Sequence, residues 1–233
     1  SEHSQTLYSL YTHIPGLKVV APYDAYDAKG LLLSSIKDDD PVIFMEHKRL
    51  YMTSCEVPDD LKPIPLGKGR IRREGSDVTI IAIQRMNLFA EEAADELEKI
   101  NISCEIVDPR TYSPLDEELI FQSVKKTGKV IVVDESNPKC SLASEISSLI
   151  SEKCFSDLKA AVIKITAPHT PVPFSPPMED FYIPSTKKII DAVKKLKDCL
   201  LYTSPSPRDQ RGSGIAGSAC KKKGGGGGGG GGG

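Results

Sequence analysis

Between Ser76 and Glu135 the chain alternates between two hydrophobic periods. DVTIIAI, SCEIVDPRTY and VIVVDE are β-branched apolar runs, and NLFAEEAADELEKI and SPLDEELIFQSVKKTGK carry apolar residues at helical spacing. Continuous apolar strands separated by amphipathic helices are the pattern of a parallel sheet with crossover helices, because such strands are covered on both faces. The stretch therefore predicts strand, helix, strand, helix, strand. In the first helix Phe89, Ala93, Leu97 and Ile100 share a face and Asn87 is the expected cap. The second is expected to begin at Ser113-Pro114 and to end before Gly128.

The same reading extends both ways. Lys18 to Ala21 forms a short strand after a Pro-Gly turn. Asp24 caps a helix over 25–37, with Ala28, Leu31, Leu32, Ser35 and Ile36 in register, and Asp38-Asp39-Asp40-Pro41 stops it. PVIFMEH is the next strand. Residues 1–51 thus read as the last part of one α/β domain. Residues 52–75, rich in proline, glycine and charge, read as a linker with a short edge strand at Lys68 to Arg73. Residues 76–200 form a second domain. It continues with a helix over Ser141 to Lys153, a strand AVIKIT and a last helix capped by Ser185 with Ile189, Val193 and Leu196 inward. The proline-rich APHTPVPFSPPMEDFYIP between them is expected to hold no regular element.

Residues 201–233 lose all period and hold 13 of the 19 glycines. A homoglycine run buries nothing. This tail is expected to be disordered, translated adapter sequence outside the fold.

Charge changes the picture little. The net charge is −2, and the tail carries five cations against Asp209, so the remainder stands at −6. That balance does not favour nucleic acid. No apolar run is long enough for a membrane span. The six cysteines (Cys55, Cys104, Cys140, Cys154, Cys199 and Cys220) form no C-x-x-C pair and are expected to be reduced, buried thiols.

Candidate chemistry is sparse. The turn Ile83-Gln84-Arg85-Met86-Asn87 after the first strand of the second domain lacks glycine, so the dinucleotide fingerprint is absent. Neither a phosphate-binding G-x-x-x-x-G-K-[ST] loop nor a G-x-S-x-G elbow occurs. His3, His13, His47 and His169 are each single histidines, and taken bare each reads as a core or surface residue. His47 stands in Glu46-His47-Lys48-Arg49 at a strand end, a charged rim of the kind that can also build sites. The helix end at Ser35 to Asp40 offers free carbonyls and two nearby carboxylates, a set suited either to a hard cation or to a solvated acidic turn.

Several strings together resemble one family: HSQTLYSLYTHIPGLKVVAPYDAYDAKGLL, IKDDDPVIFMEHKRLY, REGSDVTIIAI, EIVDPRTYSPLD, VIVVDESNPKCSLASEI and APHTPVPFSPPMEDFYIPS. They resemble, in order, the beta subunit of the thiamine-diphosphate-dependent component of 2-oxo acid dehydrogenase complexes. The acetoin dehydrogenase branch is nearest and the pyruvate branch next. The resemblance implies the end of a pyrimidine-binding domain followed by a transketolase C-terminal-type domain. It also implies assembly with an alpha subunit and a second beta subunit. Thiamine diphosphate and Mg²⁺ are then shared with the alpha chain, and the acyl unit passes to a lipoyl group on the acyltransferase core.

By the same resemblance His3 is the catalytic histidine of the HSQ motif, and Ser35, Ile36, Asp38 and Asp40 hold potassium. The family commonly has glycine where Gln84 stands. Its thiamine-contacting glutamate has no counterpart here, since none of Glu2, Glu46 and Glu56 matches that position. The chain is therefore expected to be an N-terminally incomplete, inactive piece of a bacterial cytoplasmic enzyme or of an organelle-matrix one. The rival expectation is a non-catalytic docking or dimerisation module for the acyltransferase core.

Overall fold

The computed structural model describes residues 4–199; His3 and the glycine tail lie outside the described residues. Two sheets organise the chain. The smaller has the order β2-β1-β6, from Val42–Phe44, Lys18–Val20 and Thr111–Ser113. The larger has the order β3-β5-β4-β7-β8, from Arg70–Arg73, Cys104–Asp108, Val78–Ala82, Val130–Val133 and Ile163–Ile165. In the larger sheet β5, β4, β7 and β8 are parallel, and only the edge strand β3 runs antiparallel. This is the expected α/β, mainly parallel architecture.

Burial follows from the strand sequences. All five residues of β4 and β5 and all four of β7 are buried, since helices cover both faces. On one face, Ile80, Ala82, Ile106 and Val133 meet Ala90, Ala93 and Leu97 of α3 (Met86–Glu98) and Ile189 and Val193 of α7 (Thr186–Cys199). On the other, Ile81, Val107 and Val132 meet Ile120 and Val124 of α4 (Glu117–Thr127) and Ile146 and Ile150 of α5 (Leu142–Lys153). The opening segment adds α1 (Tyr8–Thr12) and α2 (Ala25–Lys37), the latter capped by the Asp24 carboxylate, which accepts from Asp27 N at 2.8 Å.

Several expectations are corrected. The run SCEIVDPRTY is two strands, because Pro109 and Arg110 (φ +58°) break it. The second piece, β6, pairs with β1 in the other sheet. Ser113 is therefore in a strand, and α4 starts later, where Asp116 accepts from Leu119 N. Asn87 does not cap α3: it lies inside the helix, buried, and donates to Ala82 O and Gln84 O, and Ile100 falls beyond the helix end and is half exposed. The proline-rich segment holds a short helix, α6 (Pro176–Tyr182), because prolines in the first turn need no backbone partner there. Among the described cysteines Cys104 and Cys154 are buried, but Cys55 and Cys140 are exposed.

Candidate functional site

The topology marks one place before any side chain is considered. Strand β4 feeds α3 on one face of the sheet, whereas its neighbour β7 feeds α5 on the other. The chain therefore diverges at the carboxyl ends of β4 and β7 and leaves a crevice there, the usual ligand position in open α/β sheets. A cleft of about 480 Å³ occupies it. Gln84 and Glu135, which follow β4 and β7, line it from below. Ser4–Thr6 and Met45–Arg49 form the walls, and Glu179 of α6 reaches the rim.

His47 is oriented from both sides. Its Nδ1 accepts from Arg49 N at 3.2 Å, which leaves Nε2 to donate to Glu135 Oε2, also at 3.2 Å. Arg85 Nη1 approaches the same carboxylate at 3.7 Å. Burial disfavours the Glu135 charge, but His47, Arg85 and Arg49 outweigh it and hold the carboxyl below its ordinary value. Burial also pulls the Arg85 guanidinium down, and it lies over the Phe89 ring at 5.1 Å. Arg49 closes the rim on Glu179 at 2.8 Å. The cleft floor is thus a hydrogen-bonded imidazole–carboxylate pair with a guanidinium behind it, an arrangement able to hold or relay a proton at His47 Nε2.

A second cluster joins the opening segment to the later sheet beneath the cleft. Asp27, fully buried in the first turn of α2, accepts from Arg110 Nη1 at 3.0 Å and from Arg72 Nη1 at 3.4 Å. Arg72 also reaches Asp24 at 2.9 Å and Glu91 at 2.8 Å, and stacks over Tyr23. Asp108, at the end of β5, is equally buried; one oxygen accepts from Arg110 N at 3.1 Å and the other has no hydrogen-bond partner. Burial, with Asp27 nearby, pushes the Asp108 carboxyl up to about 7 despite Arg72. Asp27 is raised for the same reason.

The proposed cation ligands are only partly gathered. Asp38 and Asp40 both meet the Lys18 ammonium, at 2.6 and 3.0 Å. That contact holds the Asp38 carboxyl low. Ser35 Oγ donates back to Leu31 O at 2.8 Å, and the Ile36 side chain is exposed. Among the described residues no group of three or more His, Cys, Asp or Glu side chains is arranged around a common point. A monovalent cation at this helix end would rely on the free carbonyls of the last turn, with the two carboxylates shared with Lys18. Thiamine diphosphate is not accommodated by these residues alone. The cleft lining carries no close-approach glycine for a phosphate.

Of the residues singled out in the sequence, His3 lies outside the described residues, and the helix-end set stands apart from the cleft lining. His47 does enter the cleft. The sequence reading does not mark Gln84 and Glu135 as cleft residues, nor Arg85 as the guanidinium behind Glu135. Their only sequence signal is position, immediately after two apolar strands, and strand order is needed to see that those ends adjoin.

A doubly wound sheet with a seam cleft at its switch point places the chain among the open α/β proteins that bind ligands at the strand ends. Residues 67–189 match the transketolase C-terminal domain and residues 1–54 the transketolase pyrimidine-binding domain, and the chain belongs to the transketolase C-terminal domain family. More particularly, it is 52% identical over 196 residues to the acetoin:2,6-dichlorophenolindophenol oxidoreductase subunit beta of Bacillus subtilis. That match covers 84% of this chain and 57% of the relative. The protein of the same name from Cupriavidus necator is 50% identical, over 84% of this chain and 58% of its own length. The pyruvate dehydrogenase E1 component subunit beta of Rickettsia felis is 42% identical, over 84% and 60%. The chain therefore spans somewhat over half the length of these relatives. Among solved structures, a split gene transketolase described as an inactive beta4 tetramer superposes with a TM-score of 0.69 at 26% identity, covering 81% of this chain and 59% of that one.

Proposed function

We propose that this chain is the beta-subunit portion of a thiamine-diphosphate-dependent acetoin or 2-oxo acid dehydrogenase. The observation that carries this reading is the switch-point cleft, walled by the pyrimidine-binding segment and floored by the C-terminal domain. Its sequence setting is shared with acetoin and pyruvate enzymes at 42–52% identity. The cofactor, when bound, supplies the carbanion chemistry at the substrate carbonyl. This chain's part is to wall the substrate space and to hold His47 in one tautomer through Arg49 and Glu135. His3, in the HSQ motif, is the proposed catalytic histidine. The alpha subunit, a second beta subunit and the lipoyl acyltransferase core are the proposed partners, with Mg²⁺ held on the alpha side. Ser35, Ile36, Asp38 and Asp40 are proposed to take potassium. That ion should raise the unfolding temperature when sodium does not.

The test is reconstitution with the alpha subunit of the Bacillus subtilis acetoin enzyme, thiamine diphosphate and Mg²⁺. Acetoin-dependent reduction of 2,6-dichlorophenolindophenol and co-elution in gel filtration are measured together. Co-elution is expected and turnover is not, since none of Glu2, Glu46 and Glu56 matches the family's thiamine-contacting position. Failure to co-elute, where the Bacillus beta subunit does so, would refute the assignment.

A second reading is favoured by the surface of α6. Phe174, Met178 and Phe181 are largely exposed, on a segment pinned from behind by Asn137 and Tyr182 through Pro168 O and Thr170 O. Such a rigid apolar row suits a docking or dimerisation module. The self-assembly named for the split transketolase accords with it. Self-association of the chain without any alpha subunit would favour this reading.

A further inference from the structure

The turn after β4 carries a residue that the backbone disfavours. Gln84 has φ +49°, a left-handed conformation that costs a β-carbon-bearing residue about 1–2 kcal/mol and suits glycine. Yet Gln84 is only 2% exposed, and its carboxamide is used at both ends. Its Oε1 accepts from the Tyr8 hydroxyl, and its Nε2 donates to Met45 O at 2.6 Å. Tyr8 begins α1, is buried, and packs edge-on against Tyr112 with ring centres 4.8 Å apart. Met45 follows β2 and is itself tied to the sheet through its N–H to Val20 O at 2.7 Å.

Each of these two partners leads directly to a cleft wall. Ser4–Thr6 precede Tyr8, and Glu46 and His47 follow Met45. One side chain from the end of the central strand therefore spans both walls at their base. A glycine there would relax the turn but leave the walls unconnected. We propose that Gln84 is a positioning residue, holding α1 and the end of β2 at a fixed separation and so setting where Gln5 and His47 stand relative to Glu135. The catalytic consequence rests on the cleft being the working site of the proposed dehydrogenase; the structural consequence does not.

The experiment compares three variants of the full chain by amide hydrogen exchange, which reads local opening separately from global unfolding. In Gln84→Gly the His13, Ile14 and Met45 amides, bonded in the folded chain to Ser9 O, Tyr11 O and Val20 O, should exchange at least tenfold faster. The global unfolding midpoint should change less than the lost hydrogen bonds alone imply, because the relieved φ offsets part of their loss, and the faster exchange should be confined to these amides. Gln84→Met keeps the bulk, loses both hydrogen bonds, and should behave the same way in exchange. Tyr8→Phe should speed exchange at His13 and Ile14 and leave Met45 unchanged. In the reconstituted complex, given a wild-type chain extended to full length, Gln84→Gly should lower kcat tenfold or more with KM within twofold. Wild-type protection in both Gln84 variants would overturn the proposal. An inactive complex of that full-length wild type would count against the dehydrogenase reading instead, and the exchange pattern would still decide the role of Gln84.

Discussion

Replacing Asp108 by asparagine tests the electrostatic account of the buried seam. The Asp108 carboxyl is fully buried, one of its oxygens has no hydrogen-bond donor, and its proton is held up to about 7 against an ordinary 3.8. A carboxyl with a raised folded value binds its proton more tightly folded than unfolded. Its contribution is thus most favourable in acid, and stability falls as pH rises from near 4 to 7. Integrating over that window, Asp108 costs the fold about 2 kcal/mol at pH 5 and about 4 kcal/mol at pH 8. An asparagine keeps the shape, retains an oxygen for Arg110 N, and cannot ionise. Its fixed costs, including a weaker field for Arg72 at 3.8 Å, are independent of pH over this range.

The measurement is urea unfolding of both proteins at pH 5 and pH 8. The stability difference, variant minus wild type, should grow by roughly 2–3 kcal/mol between the two pH values. A difference that stays constant with pH would refute the buried, protonatable Asp108. So would one that shrinks.

Three further outcomes follow from the same coordinates. Arg110→Met should destabilise by roughly 2–4 kcal/mol, short of a fully stranded buried charge, because Asp27 loses its 3.0 Å partner but keeps Arg72 at 3.4 Å; a loss below about 1 kcal/mol in thermal unfolding would contradict the pairing. Gly75→Ala should cost about 1–3 kcal/mol or more, since a β-carbon there would lie 2.2 Å from the Cys104 backbone, whereas Gly16→Ala, with nothing within 4 Å, should cost only about 1 kcal/mol at φ +89°, and equal effects would refute the close approach. Glu135→Gln should lower stability at pH 7 and converge on wild type as pH falls through and below 4.5, because a depressed carboxyl contributes above its unfolded value and loses that contribution in acid; parallel acid-unfolding curves would remove the His47–Glu135–Arg85 assignment.

The larger sheet was legible because its signals are local. Fully apolar strands, helical spacing in α3, α4 and α5, the Asp24 and Ser141 caps and the Gly128 stop (φ +73°) each act within a few residues. The helix over 25–37 falls where its cap and its terminating Pro41 put it. The proline-rich stretch was misread because first-turn prolines favour a helix as readily as they forbid its continuation.

What the sequence by itself determined is therefore the class of fold, the main helices and the family motifs, all set by short-range periodicity and backbone chemistry. Only the tertiary structure decided that β6 leaves the β5 run for the other sheet, and that β4 and β7 are neighbours whose ends diverge. It alone brought Gln84 to Tyr8 and Met45, and Glu135 to His47, partners up to 88 residues apart. Strand order and buried charge pairing depend on contacts between distant segments, and no local pattern encodes which distant segment will be the partner.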